Sequence, residues 1–236
     1  MSKTNGQSGL NYNISNKNGF GKVEISLRKG ETVFAEPGAM MWMDSTVKVE
    51  TTTRGGIFSG VKRLFSNEDF FQNHFTGPGK VNLALGSLPG DMIALKVKPG
   101  KSFVLSKGSF VAATDNIEVT TGFRLRAIAA NTPFLVKVQV AEGSNKPGIV
   151  FIGAYGGVEH IKVQKGKELI LDNGNFLGID EDKDFTITTF GKAKSFFFGG
   201  EGLVFRVRGP ANVITRSRDP FVLFKEIKRE VVPKKR

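Results

Sequence analysis

An all-β domain of three fused repeats, packed with pseudo-threefold symmetry and carrying little helix, is predicted by three features of this 236-residue chain. A pair of glycines eight positions apart occurs three times, as Gly30 with Gly38, Gly100 with Gly108 and Gly166 with Gly174. Between and around these pairs, apolar residues alternate with polar ones over strand-sized runs. A Thr-Thr pair followed shortly by glycine then recurs in the same order, at Thr52-Thr53 with Gly55, Thr120-Thr121 with Gly122 and Thr188-Thr189 with Gly191. Self-similarity at a fixed period is the mark of a repeat architecture.

Taken along the chain, residues 1–19 are polar and read as a short N-terminal arm. They lack the apolar run of a secretory signal, and no segment is long and apolar enough for a membrane span. The β domain is expected over 20–218, with repeats at about 20–94, 95–161 and 162–218. In the first, Val23, Ile25 and Leu27 alternate as a half-buried strand; in the third, Phe185 and Ile187 do the same. Gly38, Gly108 and Gly174 fall where a tight turn needs positive φ, cheap only for glycine. A small or polar residue and a large apolar one follow each: Ala39-Met40, Ser109-Phe110 and Asn175-Phe176. An acidic residue comes soon after, Asp44, Asp115 or Asp180. Each repeat ends on two apolar strands around a glycine turn, as in "GKVNLALGSLPGDMIAL", "GIVFIGAYGGVEHIKV" and "GLVFRVRGPANVIT". One unit buries too little surface alone, so the three are expected to share a core. The best helix candidate inside the domain is "GVKRLFSNEDFF". The segment 219–236 is a basic tail whose Phe221, Leu223, Phe224 and Ile227 fit either a last strand or a short helix.

With the repeats in place, four strings carry a resemblance: "EPGAMMWMD" (36–44), "GGIFSGVKRLFSNEDFFQNHFTGPG" (55–79), "PGDMIAL" (89–95) and "SFFFGGEGLVFRVRGPANVITRSR" (195–218). In this order they resemble the altered-inheritance-of-mitochondria twenty-four family, from about Leu10 to Arg218. The resemblance implies a unit similar to the tryptophan RNA-binding attenuation protein, a β-sandwich or double-stranded β-helix, present three times. It implies no reaction, and mitochondrial association only by way of a eukaryotic member. Tryptophan- or RNA-contacting positions do not transfer, because no local motif matches them.

The chemistry of the side chains points away from catalysis. Zero cysteines exclude disulfides, thiolate zinc sites and cysteine nucleophiles, and fit a reducing compartment such as the cytoplasm. His74 and His160 are far apart and stand in no metal-ligand spacing. Gly100-Lys101-Ser102 has the ending of a phosphate-binding loop, but the preceding glycine that such a loop requires is replaced by Leu95. No nucleophile elbow occurs. Asp180, Glu181, Asp182 and Asp184 form the densest acidic run, without the spacing of a calcium loop. The expectation is therefore no enzyme, no cofactor and no metal.

Charge gives the positive signal. The chain carries +12, and the stretch from Arg216 to Arg236 holds eight Lys or Arg against three acidic residues. A surface this basic attracts anionic lipid headgroups or nucleic acid. The connectors after the Thr-Thr pairs are each basic: Arg54, Lys62 and Arg63; Arg124 and Arg126; Lys192 and Lys194. Related by a pseudo-threefold axis, they would form a positive crown at one end. Phe58 and Phe65 add apolar groups to the first connector, so the crown suits anionic lipid or a protein partner. The plainer alternative is a solvated charged face over an apolar lid. Single-stranded nucleic acid is the competing partner, since "FRLR" and "KAKSFFF" interleave cations with aromatics. Against it, 21 phenylalanines with two tyrosines and one tryptophan suit core filling. A binding or scaffolding module is the expected function, with self-association left open.

Overall fold

The computed structural model describes residues 9–52, 72–86, 88–121, 135–189 and 203–231. Among these, the chain is nearly all β. A first strand, β1 (Asn11–Ser15), precedes three sets of six strands. The first set is β2 (Lys22–Leu27), β3 (Thr32–Ala35), β4 (Met40–Met43), β5 (Lys48–Thr52), β6 (Gln72–Thr76) and β7 (Gly79–Ala84). The second is β8 (Met92–Val97), β9 (Ser102–Ser106), β10 (Phe110–Thr114), β11 (Ile117–Thr121), β12 (Leu135–Val140) and β13 (Gly148–Gly153). The third is β14 (Val158–Val163), β15 (Glu168–Asp172), β16 (Phe176–Asp180), β17 (Phe185–Thr189), β18 (Leu203–Arg208) and β19 (Ala211–Arg216). One helix, α1 (Pro220–Val231), follows.

Within every set the pairing is the same. The first strand pairs with the sixth and the sixth with the third, while the second pairs with the fifth and the fifth with the fourth. Even a register shift recurs, between Met40 and Trp42, Phe110 and Ala112, and Phe176 and Gly178. Each unit is thus two three-stranded antiparallel sheets. Their inward faces meet, as in the cluster that joins Ile25 and Leu83 of one sheet to Val33 and Phe75 of the other. In the third unit, Phe176 stacks on Phe205 with ring centroids 4.0 Å apart.

Units are joined by sheet continuation. The second strand of one pairs with the third of the next, β3 with β10 and β9 with β16, to make two six-stranded sheets, β5-β6-β3-β10-β13-β8 and β11-β12-β9-β16-β19-β14. The cores follow the same linkage: Phe34 of the first unit and Leu177 and Ile214 of the third pack into the second unit's cluster. Gly90 bridges Phe20 on one side and Gly156 on the other. A Cβ there would collide with the Ala154 carbonyl, so only glycine lets the three segments approach.

The expected packing of three units around a common axis is more than the strand pairing shows. Units 1 and 2 are joined, units 2 and 3 are joined, and among the described residues β4 and β15 at the two ends have no sheet partner on their outer edges. The remaining strands form a four-stranded sheet, β1-β2-β7-β4, and a three-stranded one, β15-β18-β17.

Several boundaries differ from the sequence expectation. The N-terminal arm contributes β1, because Tyr12 and Ile14 alternate and pack on the first core. Strands β8 and β14 straddle the expected limits at 94/95 and 161/162, so units begin nearer Met92 and Val158. Positive φ belongs to the first glycine of each pair, Gly30, Gly100 and Gly166 (φ 73–77°), and of the second glycines only Gly38 shares it. The tail starts as helix, not strand. The helix candidate within 60–71 lies outside the described residues.

Candidate binding surface

The nine cationic and aromatic residues singled out in the connectors, Arg54, Phe58, Lys62, Arg63, Phe65, Arg124, Arg126, Lys192 and Lys194, all lie outside the described residues. What is described is where the connectors begin and end. Each links the fourth and fifth strands of its unit, an antiparallel pair whose last partners are Thr52 with Gln72, Thr121 with Val136 and Thr189 with Leu203. Shared pairing topology therefore gives the three connectors the same attachment in each unit.

The acidic run that follows β16 is engaged by cations. Asp182 pairs with Lys101 and Lys183, Glu181 with Lys137 at 2.9 Å, and Asp184 with Arg208 at 3.6 Å. A hydrogen bond from Lys183, with help from Lys101, holds the Asp182 carboxyl below its usual range. Burial pushes Asp180 up. Charge-balanced carboxylates of this kind offer no open ligand set, and among the described residues no group of three or more His, Asp or Glu is gathered for a metal. His74 sits on β6 and His160 on β14, in different sheets.

The basic end of the chain is positioned with more care. Asp219 and Pro220 supply a helix start: the Phe221 amide donates to Asp219 Oδ1 at 2.8 Å, and proline has no amide to satisfy in the first turn. Behind them Arg216 is buried at the end of β19, its Nε donating to the Gly174 carbonyl at 2.6 Å. Burial lowers the affinity of that guanidinium for its proton, while Asp219 and Asp172 counteract the effect. A Cβ on Gly174 would fall on the Asp219 carboxylate, which explains the glycine there without positive φ. Asn175 Nδ2 completes the cradle by donating to the Arg216 carbonyl at 2.8 Å.

Helix α1 leaves this anchor with its apolar residues outward. Pro220 is buried, but Phe221 is 61% exposed, and Val222, Phe224, Ile227 and Val231 are exposed as well. Phe224, Ile227 and Val231 follow helical spacing along one stripe. Lys225, Lys228 and Arg229 lie on the same exposed helix, with Arg229 held by Glu226 at 2.7 Å. Helical spacing places Phe221, Lys225 and Arg229 on an adjoining row. Sequence reasoning left this segment between strand and helix; the decisive signal was Asp219-Pro220, a cap followed by a first-turn proline.

The profile of the family described as "Mitochondrial biogenesis AIM24" matches residues 12–218. The chain belongs to that family. A relative of this AIM24 protein, an uncharacterised protein of Streptococcus pyogenes, is 23% identical over 218 residues, covering 88% of this chain and 86% of the relative. A crystal structure of a Streptococcus pyogenes protein superposes on the AIM24 chain with a TM-score of 0.74 at 20% identity, covering 94% of this chain and all of that one. That likeness concerns the fold. No helix among the described residues is long and apolar enough to cross a membrane.

Proposed function

We propose that this AIM24 protein is a non-enzymatic binding or scaffolding module that docks on an anionic lipid surface. The observation that carries the reading is α1, anchored at its base by Arg216 and Asp219 while it turns Phe221, Phe224 and Ile227 to solvent beside Lys225, Lys228 and Arg229. Exposed apolar area costs free energy in water and is regained by shallow insertion among headgroups, where the cations add attraction. The basic connectors, attached to equivalent hairpins, would supply further cationic contacts. A chain with a net charge of +12 would provide the long-range field that brings such a surface to the bilayer.

Co-sedimentation of the full chain with vesicles tests this. Vesicles of phosphatidylcholine with phosphatidylserine should carry the protein down, and pure phosphatidylcholine should not. A Phe221→Ser, Phe224→Ser variant should lose most of the bound fraction, and Arg124→Ala with Arg126→Ala should reduce it. Absence of binding to the anionic vesicles at low salt would refute the reading. If a labelled single-stranded RNA binds instead, with affinity falling linearly on a log-log salt plot and unchanged in the helix variant, the nucleic-acid reading replaces it.

A further inference from the structure

Two junctions between units are built inside the chain, and their registers superpose. Ala112, Ala113 and Thr114 of β10 face Ala35, Phe34 and Val33 of β3. Gly178, Ile179 and Asp180 of β16 face Leu105, Val104 and Phe103 of β9. The third junction of the series would join β15 to β4, and among the described residues both of these strands are sheet edges. Burial shows that these edges are bare. Strands β10 and β16 are buried through four of five positions, whereas all four residues of β4 are exposed, Trp42 to 41% and Met41 to 53%. On β15, Ile170 is 43% exposed, while its counterpart Val104 on β9 is fully buried.

Strand β4 also lacks the charges and prolines that blunt strand addition, and on β15 the charges stand only at the two ends, Glu168 and Asp172. Proteins protect open edges with lysine, proline, bulges or covering loops. Met40, Met41, Trp42 and Met43 carry no charge and no proline. The register shift in β4 is no obstacle, since β10 and β16 carry the same shift and still accept a partner on the other side. We propose that a second copy of this chain completes the third junction, its β4 adding antiparallel to β15 of the first. The glycine-aligned register then sets Trp42 opposite Leu171, Met43 opposite Ile170 and Asp44 opposite Leu169. Every copy offers one β4 edge and one β15 edge, so the contact is head-to-tail, and both of these edges are satisfied when the copies close into a ring.

The chain has no cysteine, which makes the register directly testable. Directly opposed residues of an antiparallel pair lie within disulfide reach. A Met43→Cys chain mixed with an Ile170→Cys chain should give a covalent dimer on mild oxidation. Light scattering on the wild type should read a multiple of 25.7 kDa. Ile170→Lys, at a position exposed in the single chain, should reduce the mass to one chain, and so should Met43→Glu; mixing these two should restore the assembly through a Lys–Glu pair at that junction. A wild-type mass of one chain overturns the proposal. So does a disulfide that forms only within a doubly substituted chain, or Met43→Cys chains linking to each other in preference to Ile170→Cys.

Discussion

Relative to a Glu36→Gln chain, the wild type should lose stability as pH rises from about 5 to 8, because burial makes the Glu36 carboxyl hold its proton in the folded state. Glu36 follows β3 and begins the turn into β4, its amide donating to the Val111 carbonyl of the next unit at 3.0 Å. Burial at this junction pushes the Glu36 carboxyl up from 4.5 to about 7. Between those values the folded chain holds a proton that the unfolded chain has released. Its contribution is fully present below pH 4.5 and is lost progressively as pH rises through about 7. The shift corresponds to about 3 kcal/mol at full strength, and the residual exposure of the side chain reduces it to about 1–3 kcal/mol. With a urea slope of about 3 kcal/mol/M, the unfolding midpoint should drop by about 0.3–1 M between pH 5 and pH 8 relative to a Glu36→Gln chain. Urea titrations of both proteins, followed by fluorescence of Trp42 and by circular dichroism, read this directly. Parallel pH profiles for wild type and Glu36→Gln would refute the reasoning, because they would show that burial at this junction does not hold the proton.

Other perturbations follow from the packing. Phe205→Ala removes a fully buried ring stacked on Phe176 and should cost about 3–5 kcal/mol, lowering the melting temperature by about 6–20 °C in calorimetry. Gly90→Ala places a methyl group against the Ala154 carbonyl where three units approach, and should destabilise by about 1–3 kcal/mol in the same assay. Arg216→Ala removes the donor to the Gly174 carbonyl and should weaken the anchor of α1 by about 2–3 kcal/mol, seen as faster proteolysis after Asp219 while the β signal in circular dichroism persists. Gly166→Ala, at φ 77°, should cost about 1 kcal/mol, whereas a glycine with negative φ and open surroundings such as Gly108 should tolerate alanine.

Which of these features the sequence displays depends on how local their physics is. The triplicate was legible because turn glycines and alternating strands are set by backbone sterics within a few residues, and Gly30, Gly100 and Gly166 mark the same turn in each unit. The all-β class followed from the same patterns. The start of α1 was legible in Asp219-Pro220 but was outweighed by the irregular apolar spacing of Phe221, Leu223, Phe224 and Ile227. Spacing of that kind reads poorly when a helix exposes its apolar side instead of burying it. The role of Gly174 could not be read locally at all, since its constraint is a carboxylate forty-five positions away at Asp219. The candidate surface divides along the same line. Charge and the apolar tail were visible as composition, while the buried Arg216 that fixes the tail required the fold.

The repeat comparison also separates what a strand's composition says from what its position demands. Met40, Trp42 and Met43 stand in the register of Phe110, Ala112 and Ala113, and of Phe176, Gly178 and Ile179. Where the neighbouring unit's second strand covers the position, two small residues or glycine at the outer contact let the sheets meet closely: Ala112 lies opposite Ala35, and Gly178 opposite Leu105. A Cβ on Gly178 would press on the Leu105 side chain. Among the described residues Trp42 has no neighbouring strand on that side, and in the proposed pairing it meets Leu171. A strand destined for water gains nothing from four consecutive large apolar residues, whose exposure costs on the order of 25 cal/mol for each Å² left wet. On the proposed pairing the composition of β4 is that of a contact strand, and it differs from its two counterparts in the size of the residue at the junction rather than in its hydrophobicity.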